Sequence, residues 1–229
     1  MLGFFSFTEI TAPDGHGAYN EWHQLDHLPQ QFSLDGIWFG QRWVCSPPCR
    51  EARVAVSERL APSHYVTLYL MRDASVLDPF ARLGRDMWAA GRFFEDRRAL
   101  VSGAFEVGGR WSSPGAVVSA DVIPHRPSNG IYLVVGPPID GAALAEQEGL
   151  AGAWSFEPFG AAADLPAHVT VGFVAPDSDP LAVARDVGQW VDDSCHTPHI
   201  AGGSELEWAG PLERIDPYRW DWFARLTPQ

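Results

Sequence analysis

The two halves of this chain repeat one order of signals. His64-Tyr-Val-Thr-Leu-Tyr-Leu runs into an Asp78-Pro79 helix start, and that helix carries Trp88. His168-Val-Thr-Val-Gly-Phe-Val runs into an Asp179-Pro180 helix start, and that helix carries Trp190. A repeat of this length marks a duplicated domain and not a solenoid. In the first half, β-branched and aromatic runs predict strands at 2–10, 37–44, 64–71 and 101–111. Helices are predicted from about Tyr19 to Pro29 and over 78–90, with Asp78 as N-cap and Pro79 at the first helical position. The second half follows suit. Its strands are expected at 131–135, 153–159, 168–174 and 205–214, and its helices at 141–150 and 180–191, the latter capped by Asp179. A further short strand is expected at 117–123, and a bulge at Gly108-Gly109. Each half then reads β-α-β-β-α-β. A sheet with helices on one face must bury the other, and the sheet of the other half supplies the cover. The expected fold is α+β: two ferredoxin-like βαββαβ repeats, 1–112 and 129–229, joined by a connector at 113–128. Their antiparallel sheets are expected to pack into an α+β barrel with the helices outside.

Charge and composition narrow the partners. A formal charge of −13 repels nucleic-acid phosphates and anionic membrane surfaces. No apolar run is long enough to cross a bilayer. The N-terminal MLGFFSFTEI lacks a basic n-region and reads as a strand, not a signal peptide. Cys45, Cys49 and Cys195 form no regular framework, which suggests reduced thiols and a cytoplasmic location. A zinc site would need His196 and His199 as further ligands, and spectator thiols are the simpler reading. Among ten Trp and thirteen Phe, the set Phe5, Phe7, Trp38, Trp43, Phe105, Trp111, Trp154 and Phe156 would supply apolar lining or plain core.

The chemistry-bearing stretch is 19–44, YNEWHQLDHLPQQFSLDGIWFGQRWV. Ala18, Trp22, Leu25, Pro29 and Phe32 form an apolar stripe, and His23 and His27, four apart, point the same way. Pro29 and Asp35-Gly36 are expected to end the helix. Asp26 points away from His27. The imidazole of His27 is suited to acid/base work or to capping the last helix carbonyls. His23 and His27 would need a third ligand, such as Glu9, His64 or Glu21, to hold a metal. Arg42 and Trp43 fall on opposite faces of their strand. Arg42 could steady an anion or pair with Glu9 or Asp35 at the surface. Tyr65, Thr67 and Tyr69 share a face, and His64 and His168 open equivalent strands. No GxGxxG, P-loop or GxSxG is present, which disfavours nucleotide-dependent enzymes and triad hydrolases.

Glu21-Trp22-His23-Gln24-Leu25-Asp26-His27-Leu28-Pro29, with Asp35-Gly36 and Arg42-Trp43, resembles the "EW…(E/D)HLP…PGF…RY" pattern of EthD-like proteins. These belong to the dimeric α+β barrel superfamily. The resemblance covers the first 45 residues or so; the repeated element order extends it more weakly. It implies a site between the sheet and the first helix, with His27 as the motif histidine and His23 an added one. Members of the superfamily include cofactor-free isomerases, cyclases, dehydratases, quinone-forming monooxygenases and haem-binding enzymes. The second half has no matching histidines; its first helix offers only Glu146 and Glu148.

The expected function is cofactor-independent proton-transfer chemistry on a small aromatic or polyketide-like substrate in the barrel interior: isomerisation, cyclisation or dehydration. His27, His23 and Tyr19 are the expected catalytic residues. Tyr65, His64, Arg42, Trp38 and Trp43 are expected to bind substrate. No cofactor or metal is expected, and the chain is expected as a monomeric pseudo-dimer or a homodimer. The alternatives are a non-catalytic ligand-binding or structural barrel, and a haem- or metal-dependent oxygenase.

Overall fold

The computed structural model describes residues 1–160, 164–195, 205–217 and 219–223. His196, His199 and Tyr218 lie outside the described residues. Nine strands are present: β1 (Leu2–Ile10), β2 (Ile37–Val44), β3 (Ala55–Val56), β4 (Tyr65–Met71), β5 (Arg97–Ser112), β6 (Gly130–Gly136), β7 (Leu150–Pro158), β8 (His168–Val174) and β9 (Trp208–Arg214) among the described residues. Eight of them run antiparallel in the order β2-β4-β1-β5-β7-β8-β6-β9, and β2 pairs back onto β9. The sheet is thus an eight-stranded antiparallel barrel, with β3 added along β9.

The two seams between halves differ. β5 and β7 pair from Phe105↔Pro158 to Ser112↔Gly152, with an irregularity between Val107 and Arg110 where Gly108-Gly109 was expected to bulge. β2 and β9 share only Trp43↔Arg214 and Val44↔Glu213.

Alternation along the strands sorts the side chains. Phe5, Phe7, Trp43, Val66, Leu68, Leu70, Trp154 and Phe156 fill the barrel as one core. The expected lining set divides: Trp38 is 41% exposed, and Trp111 packs beside the second-half helices. The barrel interior is packed core, so the expected substrate position inside it is corrected.

The helices lie outside: α1 (His16–Trp22), α2 (Leu28–Gln31), α3 (Pro47–Glu51), α4 (Leu77–Ala89), α5 (Gly141–Ala145) and α6 (Pro180–Cys195). Val183, Val187 and Val191 of α6 pack on Tyr132 and Val134 of β6. Several boundaries are corrected. Pro29 does not end its helix, because the chain takes a π-helical turn at His23–His27 and Pro29 sits in the first turn of α2. Asp78 does not cap α4; Asp73 caps the 3₁₀ turn Ala74–Val76 that leads into it. The 141–150 helix stops at Ala145, and β7 begins at Leu150 after Gly149, which adopts φ +83°. The segment expected as a strand at 117–123 instead leads into a 3₁₀ helix, Ala120–His125. Asp179 caps α6 as expected, accepting from the Leu181 N–H at 2.9 Å.

Candidate functional site

The helix from His16 to Gln31 is continuous through its π-helical turn and lies over the outer face of β2, β4 and β1. The Leu28 N–H donates to the His23 carbonyl, five residues back. A π turn here relieves the clash that Pro29 would make with the carbonyl four residues before it. Close approach of helix to sheet is set by Gly40 on β2. A Cβ there would stand 2.9 Å from the Tyr69 ring and 3.0 Å from Leu28.

Polar and aromatic side chains fill the layer between helix and sheet. Tyr19 is 1% exposed and its ring is 4.9 Å from that of Tyr65 and 5.7 Å from that of His23. His23 and His27 meet edge to face at 4.9 Å, and Trp22 stacks on His27 at 4.6 Å. From β2, Arg42 places its guanidinium 5.5 Å from the Tyr19 ring and 5.9 Å from the Tyr65 ring. From the start of β5, Arg97 lies 4.2 Å from the Phe93 ring.

The layer is short of hydrogen-bond partners. Arg42 is 3% exposed, yet neither of its terminal nitrogens has one. Nδ1 of His23, Nδ1 of His27, Nε of Arg97 and the Tyr69 hydroxyl are equally buried and unpartnered. The expectation that Arg42 pairs at the surface with Glu9 or Asp35 is corrected: Glu9 pairs with Arg98 at 2.6 Å and Asp35 with Arg72 at 3.2 Å. A buried guanidinium without a carboxylate is costly, so this one is held for something other than stability.

Burial and the two guanidiniums shape the titrations. His27 is held down at about 4, mainly by burial, then by Arg97 and Arg42, with Asp26 opposing. His23 is lowered well below its usual value, first by burial, then by Arg42 and His27. Burial raises the Tyr65 and Tyr69 hydroxyls above the ordinary phenol range. Both imidazoles are therefore neutral at pH 7. They can accept a proton or offer a lone pair, but neither stores an acidic proton. Asp26 is turned away and paired with Arg92. His27 does not cap a helix end, because α2 continues beyond it.

At one end of this layer a second cluster forms. His16 Nδ1 is 3.0 Å from the Tyr65 hydroxyl, which also accepts from Asn20 Nδ2 at 2.8 Å. His64 Nδ1 accepts the Ile10 N–H at 3.0 Å, and its ring meets His16 edge to face at 4.7 Å. Phe223 stacks on His16 at 3.8 Å.

The structure thus brings together Tyr19, His23, His27, Arg42 and Tyr65, with His64 at the margin. It does not bring in Trp43, which faces the barrel core, or Trp38, which is on the outside and stacks on His125 at 5.1 Å. His168 lies elsewhere, beside Glu157. Sequence reading missed His16, Asn20 and Arg97. His16 and Asn20 carried a signal, since they continue the Tyr19–His23 stripe one turn back. Arg97 carried none; the pairing of β5 with β1 puts it there.

Among the described residues no group of three His, Cys, Asp or Glu could hold a metal ion. Cys45 and Cys49 are buried free thiols, and burial pushes Cys45 up to about 11. For haem, the donor chemistry is present in two neutral imidazoles and two guanidiniums. The room is not. A macrocycle between helix and sheet would have to part Tyr19 from Tyr65 and Trp22 from His27, which are in ring contact. These residues, as packed, do not fit haem.

No family model and no curated protein matches the sequence. Solved structures do. A proposed chlorite dismutase is 10% identical, with a TM-score of 0.54 over 99% of this chain and 98% of that one. A proposed monooxygenase from Fusobacterium nucleatum is 12% identical, with a TM-score of 0.50 over 94% of this chain and 92% of that one. Both are named for oxidative reactions. The expectation of a cofactor-free isomerase, cyclase or dehydratase is corrected on this ground. At these identities the likeness is one of fold: an eight-stranded antiparallel barrel with helices outside.

Proposed function

We propose that this chain is an oxidative enzyme of the oxygenase class, acting on a small organic molecule between the first helix and the outer face of the first-half sheet. One observation carries the reading: Arg42 is buried, unpartnered, and set among neutral imidazoles and tyrosines. A guanidinium so placed stabilises an anion, and an enolate or phenolate is the electron-rich form that gives electrons to an oxidant such as dioxygen. The names of the proteins that share the fold support the same class. In this reading Arg42 and Arg97 hold the negative charge, His23 and His27 take up the proton the substrate loses, and Tyr19 and Tyr65 wall off water. The contact between Tyr19 and Tyr65 must part to admit substrate.

The finer architecture belongs to the same proposal. Two ferredoxin-like repeats, 1–112 and 129–229, are supported by the strand orders β2-β4-β1-β5 and β7-β8-β6-β9, which each centre the first and third strands of a half.

The test is oxygen uptake by the purified chain with a panel of hydroxylated aromatic acids, with and without prior haem addition. Uptake that Arg42→Gln abolishes supports the proposal. If no panel member drives uptake under either condition, the oxidative reading fails. If uptake appears only with haem, and a haem absorbance band is lost in His27→Ala, the packing described above opens further than the ring contacts imply.

A further inference from the structure

A separate recess borders this layer from the outside. It is a pocket of about 530 Å³ between the π-helical turn with α2, strand β2, and the segments around 124–128 and 214–217. Its lining includes Arg42, Arg126, Arg214 and His125, and neither Asp nor Glu. On a chain of formal charge −13, an acid-free recess with three arginines is opposite to the average surface. Arg214 is neutralised by Asp216 at 2.8 Å. Arg126 forms no ion pair among the described residues, and Arg42, 3% exposed with both terminal nitrogens buried, adds positive charge behind the wall. The rest of the wall is largely apolar, with Leu28, Phe39 and Pro124. A volume of this size suits a small organic ligand.

We infer that this pocket binds an organic carboxylate with a flat apolar body. The carboxylate lies toward Arg126, whose planar guanidinium can donate two parallel hydrogen bonds. The ring lies against Leu28 and Phe39. The inference concerns binding alone. It stands or falls apart from the oxidation proposed above, which is read by oxygen uptake.

The test is calorimetric titration of the full chain with 2-naphthoate, and with 2-naphthamide as its uncharged counterpart. Naphthoate is expected to bind at least about tenfold more tightly than the amide, because the amide cannot make the charge-assisted pair. Arg126 is only partly exposed, and Arg126→Gln is expected to weaken naphthoate about tenfold. Arg85→Gln, on the exposed face of α4, is expected to leave binding unchanged. Equal binding of acid and amide, or naphthoate binding that ignores Arg126→Gln, would overturn the inference. Inorganic phosphate binding as tightly as naphthoate would overturn the assignment to an organic carboxylate.

Discussion

The outer-face histidines tie stability to pH. His16 and His27 are lowered to about 4 and His64 to about 3, each chiefly by burial, from an unfolded value near 6.5. Between these limits the unfolded chain binds protons that the folded chain does not. Stability is therefore full above about pH 6.5 and falls as the pH drops toward 4. Protonating His64 at Nδ1 also breaks its acceptance of the Ile10 N–H. Thermal melts at pH 7, 5.5 and 4.5 should show the fall. His27→Gln should flatten it by on the order of 2 kcal/mol across that range, relative to the unmodified chain. An unchanged slope would mean that His27 titrates normally. Arg42 gives a second residue-level expectation. Arg42→Met removes a buried charge with no carboxylate and keeps the stem's packing. The melt should rise, by on the order of 1 kcal/mol, while any oxygen uptake is lost. A fall in stability would show that the guanidinium is satisfied.

At the scale of elements, caps and turns decide more than hydrophobic periodicity. Asp140 accepts from the N–H groups of Ala142 and Ala143 and starts α5, a helix of only five residues. Asp140→Ala should cost about 1 kcal/mol, read as a lowered denaturation midpoint with unchanged slope. The π-helical turn shows what periodicity alone misses. The apolar stripe expected through Ala18, Leu25, Pro29 and Phe32 is exposed; the buried face carries His16, Tyr19, Asn20, His23 and Gln31, and Pro29 looked like a stop. The turn absorbs it because Leu28 bonds five residues back. The short strand expected at 117–123 failed for a related reason. Its β-branched residues do not pair with a strand; the segment crosses between halves, and Trp154 Nε1 donates to its Ala120 carbonyl at 2.8 Å. Asp78-Pro79 was a sound helix-start pattern, yet Asp73, further back, makes the capping bond because a 3₁₀ turn precedes the helix.

At the scale of the whole molecule, the barrel has a strong seam and a weak one. β7 is joined to β5 along most of its own length, whereas β2 and β9 share two residue pairs. Local opening should begin where fewest backbone bonds must break. Hydrogen exchange should therefore be faster at Trp43, Val44 and Glu213 than at Val66, Leu68, Leu133 or Val171, which lie in strands paired on both sides. Equal protection would make the barrel one cooperative unit. The repeat of strand, strand and Asp-Pro helix was enough to foresee an antiparallel barrel with helices outside. Alternation alone put Arg42 and Trp43 on opposite faces, and spacing alone put His23 beside His27. Which face meets the helix and which the barrel was not legible, because β4 and β6 are buried on both sides and, Thr67 apart, their sequences are apolar or aromatic. Only closure of the barrel sends Trp43 into the core and leaves Arg42 under the helix. Only the β1–β5 pairing brings Arg97 there. The solitude of Arg42 is likewise tertiary: Glu9 and Asp35 are each taken by another arginine at the surface, where water lowers the cost of the pair.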